Sequence, residues 1–182
     1  WRWGGVRHAK SRRIIDVNEL RVPGEHNVAN ALTAIALASV WGAAPEQIAN
    51  ALREFRGVEH RQEFVREIGG VRYINDTTAT APAASIVAIE TFAPTAKGIV
   101  LIAGGADKLL DFGEMARTIV SKVRVVILLE GSATDRLASA IQAAGGKEIV
   151  AGRFEDFERA IEQAKGLARE GEIVLLSPGC AS

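Results

Sequence analysis

The sequence has one cysteine, Cys180, so it cannot close an internal disulfide, and its composition suits a reducing cytoplasm. Its three histidines, His8, His26 and His60, lie too far apart to show metal-ligand spacing, and no metal-binding residue is expected. An excess of either charge is also absent. The 22 Lys and Arg balance the 22 Asp and Glu, so no net field recruits nucleic acid or an anionic membrane. The basic start, with Arg2, Arg7, Lys10, Arg12 and Arg13 ahead of Asp16, reads as a solvated strand face before it reads as a nucleic-acid arm. No apolar run can span a bilayer, because the best, residues 31–44, is interrupted by Thr33, Ser39 and Gly42. The opening Trp1-Arg2-Trp3-Gly4-Gly5 lacks the apolar core of a signal peptide, and a start without Met is what a fragment would show.

Several catalytic signatures are missing too. There is no Gly-x-x-x-x-Gly-Lys-Ser/Thr phosphate cradle and no Gly-x-Gly-x-x-Gly following a strand. No Ser/His/Asp or Cys/His nucleophile arrangement can be drawn, and Cys180 reads as a small buried thiol. No catalytic residue is therefore expected within these residues.

What is present is an ordinary globular composition, 48% hydrophobic and 24% charged, in 182 residues. That length suits one full domain plus part of another. Residues 1–22 read as two short strands or irregular structure, with 12–17 the better strand candidate. Pro23-Gly24 signals a turn, and residues 25–41 follow as a helix with Val28, Leu32 and Ile35 at helical spacing. A second helix has Pro45 in its first turn, Ile48, Leu52 and Phe55 on one stripe, and Gly57 as a left-handed cap. Residues 57–61 read as a linker, which gives domains at 1–57 and 58–182.

Beyond Gln62 strands and helices alternate. Strands are predicted at 63–68, 71–74, 98–103, 123–129, 148–150 and 173–176, and helices at 82–92, 112–121, 133–144 and 154–170. Continuous runs such as Ile99-Val100-Leu101-Ile102 suit strands covered on both faces. The predicted fold is α/β, a Rossmann-like, mostly parallel sheet with helices on both faces, preceded by the helical end of a second domain.

In such a sheet ligands bind beyond the strand carboxyl ends. Three loops there carry polar groups: Asp76, Thr78 and Thr80 after the second strand, Gly104-Gly105-Ala106-Asp107-Lys108 after the third, and Ser177 to Ser182 after the last. Together they suit a small anion, a carboxylate above all, although Thr80 could equally cap a helix and Asp76 close a turn. Asn27 and Asn30 share one face at a helix start. They fit either a cap with polar surface or a reader of an adenine edge or phosphate-bearing ligand.

Taken in order, several motifs resemble the Mur ligases. They are Gly24-Glu25-His26-Asn27-Val28-Ala29-Asn30-Ala31-Leu32, His60-Arg61, Asn75-Asp76-Thr77-Thr78-Ala79-Thr80, Gly104-Gly105-Ala106-Asp107-Lys108, and Leu175-Leu176-Ser177-Pro178-Gly179-Cys180-Ala181-Ser182. The 76–80 loop lacks the aromatic–His or aromatic–Asn pattern of the sister ligases and so resembles the D-glutamate-adding branch. The resemblance implies an ATP- and Mg2+-dependent cytoplasmic ligase of peptidoglycan precursor synthesis. Such an enzyme, expected as a monomer away from nucleic acid and membrane, joins D-glutamate to UDP-N-acetylmuramoyl-L-alanine through an acyl phosphate. It implies nucleotide contacts for Asn27, Asn30, Arg61 and Asp76, and D-glutamate contacts for Thr80, Lys108 and Ser182. Three departures stand out: Thr78 replaces a usual lysine, Ala81 a usual Asn or Thr, and Gly179 a usual Ala. The nucleotide-precursor domain, the P-loop and the family's metal ligands have no counterpart in these residues, so the chain alone is expected to be inactive. Two alternatives remain: a related ligase for another amino acid, including the folylpolyglutamate type, and a non-catalytic α/β module binding a small acidic ligand.

Overall fold

Residues 13–181 are described by the structure, a computed structural model. The chain divides at Gly57/Val58 into two compact units. In the first, Asp16 starts a short 3-10 turn at Val17–Glu19, where its carboxylate accepts from the Asn18 N–H (3.2 Å) and Glu19 accepts from the Asp16 N–H (2.9 Å). This capping turn replaces the strand expected at 12–17. Residues 13–16 have no regular structure, and Arg12 lies outside the described residues. Helix α1 (Glu25–Val40) begins at Gly24 and helix α2 (Pro45–Glu54) carries Pro45 in its first turn. Ala31 is the one residue of α1 that is buried, whereas Leu32, Leu37, Val40 and the following Trp41 are exposed. In α2, Ile48 and Ala49 are buried, and Phe55 of the expected stripe sits at the helix end, half exposed.

The second unit is a six-stranded sheet: β1 (Glu63–Ile68), β2 (Val71–Asn75), β3 (Ile99–Gly104), β4 (Val125–Leu129), β5 (Val150–Phe154) and β6 (Ile173–Leu176). Their order is β1-β2-β6-β3-β4-β5, with β1 antiparallel to β2 and every other pairing parallel. The helices are α3 (Pro82–Phe92), α4 (Gly113–Lys122), α5 (Thr134–Ala143) and α6 (Phe157–Leu167). Side-chain alternation along each strand explains why both faces need cover. Ile99, Leu101 and Ala103 of β3 join Leu128, Ile173 and Leu175 beneath α3, α4 and α5, while Val100, Ile102, Ile127 and Val174 pack with Ala160 and Ala164 of α6. The Rossmann-like, mostly parallel architecture with helices on both faces is therefore present.

Two elements of this unit differ from the sequence reading by three or more residues at an end. The strand expected at 148–150 lies later, because Lys147–Ile149 forms a 3-10 turn and pairing with β4 starts at Val150. The helix expected at 154–170 is shorter at both ends. Phe154 stays in β5, Asp156 caps α6 by accepting from the N–H groups of Glu158 (2.8 Å) and Arg159 (3.4 Å), and Leu167 ends it.

Candidate functional site

Strand order decides which loops meet. Because β6 runs between β2 and β3, the loops leaving the carboxyl ends of β2, β6 and β3 are neighbours, and backbone hydrogen bonds lace them together. The Asp76 N–H donates to the Leu176 carbonyl (2.8 Å), Ser177 to Ile102 (3.1 Å), Gly104 to Pro178 (3.0 Å) and Gly179 to Ala79 (2.8 Å). Ala106 and Ala181 exchange a pair of backbone bonds at 2.9 and 3.0 Å. The tightness requires glycine at 105: its φ is +142°, and a β-carbon there would stand 2.4 Å from the Ala181 carbonyl oxygen.

Within this frame the polar groups divide into committed and available ones. Asp76 is 3% exposed, and its two oxygens accept from the Ser177 hydroxyl (2.8 Å) and the Gln62 N–H (3.1 Å). The Ser177 hydroxyl lies 2.8 Å from that of Ser85 in the first turn of α3, so Ser85, Ser177 and Asp76 form a buried chain. Burial pushes the Asp76 carboxyl above the usual carboxylate range, against the Ser177 and Gln62 hydrogen bonds and the nearby Arg61 charge. Thr78 is committed as well, since its hydroxyl (3.0 Å) and N–H (3.1 Å) both donate to the His60 carbonyl. Asn75 accepts from the Thr77 N–H (3.2 Å) and hydroxyl (3.0 Å), and its amide nitrogen lies 3.0 Å from His60 Nδ1. The segment from Val58 to Gln62, with His60 and Gln62 at positive φ, is thus clasped to the loop after β2.

That changes the reading of three expected ligand donors. The side chains of Asp76, Thr78 and Ser177 spend their hydrogen bonds on the protein. Thr80 is half buried, and its hydroxyl has no hydrogen-bond partner among the described residues. Arg61 and Lys108 are exposed cations that likewise have no hydrogen-bond or ion-pair partner for their side chains among those residues. Ser182 lies outside the described residues. In the first unit Asn27 is not the helix cap, because α1 already starts at Glu25. Its amide donates to the Pro23 carbonyl (2.7 Å) and accepts from Asn30 (3.3 Å), which leaves Asn30 an amide hydrogen and its oxygen for a ligand. Among the described residues, no group of three or more His, Cys, Asp and Glu side chains could hold a metal ion.

The sequence reading did not mark the side chain that fixes the Lys108 loop. Arg136, in the first turn of α5, donates to both oxygens of Asp107 (2.8 and 2.6 Å) and to the Leu110 carbonyl (2.9 Å). These hydrogen bonds hold the Asp107 carboxyl below the usual carboxylate range. The Asp107 N–H donates to the Ser132 hydroxyl (2.8 Å), and the Leu109 N–H to Asp107 (2.7 Å). Ser132 and Arg136 belong to the loop and helix that follow β4, the neighbour of β3. A fourth loop on the same edge was the available signal.

The chain has counterparts in sequence and in fold among known proteins. The model of the Mur ligase, glutamate ligase domain matches residues 60–180. A UDP-N-acetylmuramoylalanine–D-glutamate ligase of Roseiflexus sp. is 48% identical over 176 residues, which are 96% of this chain and 37% of that protein. The enzyme of the same name from Pelotomaculum thermopropionicum is 46% identical over 165 residues, 91% of this chain and 35% of that protein. The chain thus spans little more than a third of these relatives. In fold it is similar to the folylpolyglutamate synthase of Mycobacterium tuberculosis solved with ADP and AMPPCP. That match has a TM-score of 0.72 at 19% identity and covers 88% of this chain and 39% of that one. With the domain model spanning most of the second unit, the chain belongs to the Mur ligase family through its glutamate ligase domain.

Proposed function

We propose that this chain is the carboxyl-terminal part of an ATP-dependent ligase of peptidoglycan precursor synthesis, one that adds D-glutamate to UDP-N-acetylmuramoyl-L-alanine. The observation that carries the reading is the Lys108–Thr80 edge. A lysine and a hydroxyl without protein partners lie on loops joined through that of β6, in a chain 48% identical to a relative named for this reaction. The precursor carboxylate, activated as an acyl phosphate, is attacked by the amine of D-glutamate. An amide forms, phosphate leaves, and the amine loses a proton. Nothing in that step demands a protein nucleophile, so catalysis here is mainly positioning. Lys108, Thr80 and Ser182 hold the two carboxylates of the incoming amino acid, for which a lysine with hydroxyl and backbone donors is a sufficient match.

For the nucleotide the proposal takes each unit by itself, Asn27 and Asn30 in the first and Arg61 and Asp76 in the second. Asn30 retains amide capacity for an adenine edge, and Arg61 is an exposed cation suited to phosphate oxygens. Asp76 serves it indirectly: its carboxylate fixes the Gln62 N–H and so the segment that carries Arg61. ATP supplies the phosphoryl group that activates the precursor carboxylate. Mg2+ would accompany its phosphates, and the described residues offer no cluster to hold the ion. Residues 1–57 would be the helical end of the ATP-binding domain, in keeping with the apolar surface that α1 leaves exposed, and 58–182 the amino-acid-binding domain. The proposal places the enzyme in the cytoplasm, where water-soluble substrates would be met, and takes it as a monomer. No helix among the described residues is long and apolar enough to cross a membrane.

An NMR titration of this chain with D-glutamate, L-glutamate and ADP tests the reading. Shifts near Thr80 and Lys108, larger for D- than for L-glutamate, are expected. An equal response to both enantiomers would instead indicate a general anion site and count against the D-glutamate assignment.

A further inference from the structure

Lys108 follows directly on Asp107, an anion that could pair with it and repel a second carboxylate arriving at the same place. The structure shows what prevents this. Both Asp107 oxygens are taken by Arg136, whose guanidinium also reaches the Leu110 carbonyl and lies 5.6 Å from the centre of the Phe112 ring. The Asp107 side chain is 13% exposed. The turn it anchors places Leu109 at a φ of +58°, an uncommon conformation for a residue with a side chain. Lys108 sits at the tip of this turn, exposed, with no side-chain partner among the described residues.

We infer that Arg136 is a positioning residue for amino-acid binding: it sequesters the Asp107 carboxylate and pins the β3 loop to α5, so that the Lys108 ammonium remains available to a carboxylate of the substrate. The inference rests on the proposed role of Lys108. Arginine suits the task because its fork spans three acceptors at fixed geometry, whereas a lysine at the same position could neutralise Asp107 without holding Leu110. Removing Arg136 has two separable effects. The loop loses a clamp, and the freed Asp107 carboxylate becomes a competitor for Lys108. Only the second is reversed by making residue 107 neutral. Asparagine keeps the side-chain oxygen that accepts from the Leu109 N–H, so the turn itself is retained.

The test uses the full-length ligase that carries these residues, with initial rates measured against D-glutamate and against ATP and with melting temperature as the folding control. Arg136→Gln is expected to raise the D-glutamate KM roughly tenfold, the scale of one charge-assisted contact, with kcat and the ATP KM within about twofold of the starting values. Adding Asp107→Asn should bring the glutamate KM back toward the parent value, which a merely structural clamp would not allow. Arg136→Lys should fall between, and it supplies the same comparison if Arg136→Gln melts below the assay temperature. An unchanged glutamate KM in Arg136→Gln, or a double variant as impaired as the single one, overturns the inference. Lys108→Ala separates the two levels: if it leaves the glutamate KM unchanged, the assignment of Lys108 falls and this inference with it. If it raises the KM while Arg136→Gln does not, only the role of Arg136 fails.

Discussion

Asp76 illustrates how a residue type can suggest one task and its surroundings impose another. A carboxylate at a strand end reads as a ligand group. Here it is buried, with both oxygens bonded to Ser177 and Gln62. The sequence put Asp76, Ser177 and Thr78 on the right edge, yet it could not show that their hydrogen bonds are spent inside the protein. Hydrogen-bond partners separated by 101 residues leave no local pattern. The raised pKa of Asp76 has a signed consequence. Between its unfolded and its higher folded value the native state holds the extra proton, so Asp76 subtracts stability as pH rises through that window. Asp76→Asn should therefore gain on the parent as pH is raised from the ordinary carboxylate range toward neutrality. Asparagine can still accept from Gln62 and donate to Ser177. Urea unfolding across that range decides the matter, and parallel stability curves would contradict it.

At the scale of elements, continuous apolar runs such as Ile99-Val100-Leu101-Ile102 correctly marked β3 as a strand buried on both faces. The ends were less legible. Local side-chain caps such as Asp16 and Asp156 overrode the apolar pattern there. The opposite end of the sheet from the site is held by a pair that no local pattern connects. Arg124, just before β4, donates to both oxygens of Glu172, just before β6 (2.5 and 2.6 Å), and to the Leu167 carbonyl (2.7 Å). Burial opposes ionisation of Glu172, but the hydrogen bonds from Arg124 and the Arg169 N–H outweigh it and lower its pKa. Its contribution is present above the unfolded carboxylate range and is lost as pH falls through the depressed folded value. Glu172→Gln, which leaves a half-buried guanidinium without its anion, should cost about 3 kcal/mol at neutral pH. It should also flatten the acid limb of the stability profile. A loss below about 1 kcal/mol, the range of exposed pairs, would show that solvent already screens this one.

For the molecule as a whole, the division into a helical first unit and a Rossmann-like second unit sets what these residues can do. The site edge offers cations and a hydroxyl for binding, but the sequence contains no Walker-type phosphate cradle and no nucleophile constellation. The chain by itself is therefore expected to bind amino acid weakly and to release no phosphate from ATP in a D-glutamate-dependent way. A sensitive phosphate assay checks this, and turnover by these residues alone would mean that the phosphoryl-transfer machinery had been misread.

The sequence by itself determined the class of fold and the three loops that carry the polar groups. Those properties follow from local periodicity, turn residues and the alternation of strand with helix. Tertiary structure alone decided that β6 is inserted between β2 and β3, and hence that loops about 100 residues apart are laced into one edge. It also decided which polar groups there remain free, because availability depends on partners such as Gln62, Ser85 and Arg136. Those partners reach the site through strand pairing and helix packing, interactions whose specificity is set by the folded surfaces and not by any neighbouring stretch of chain.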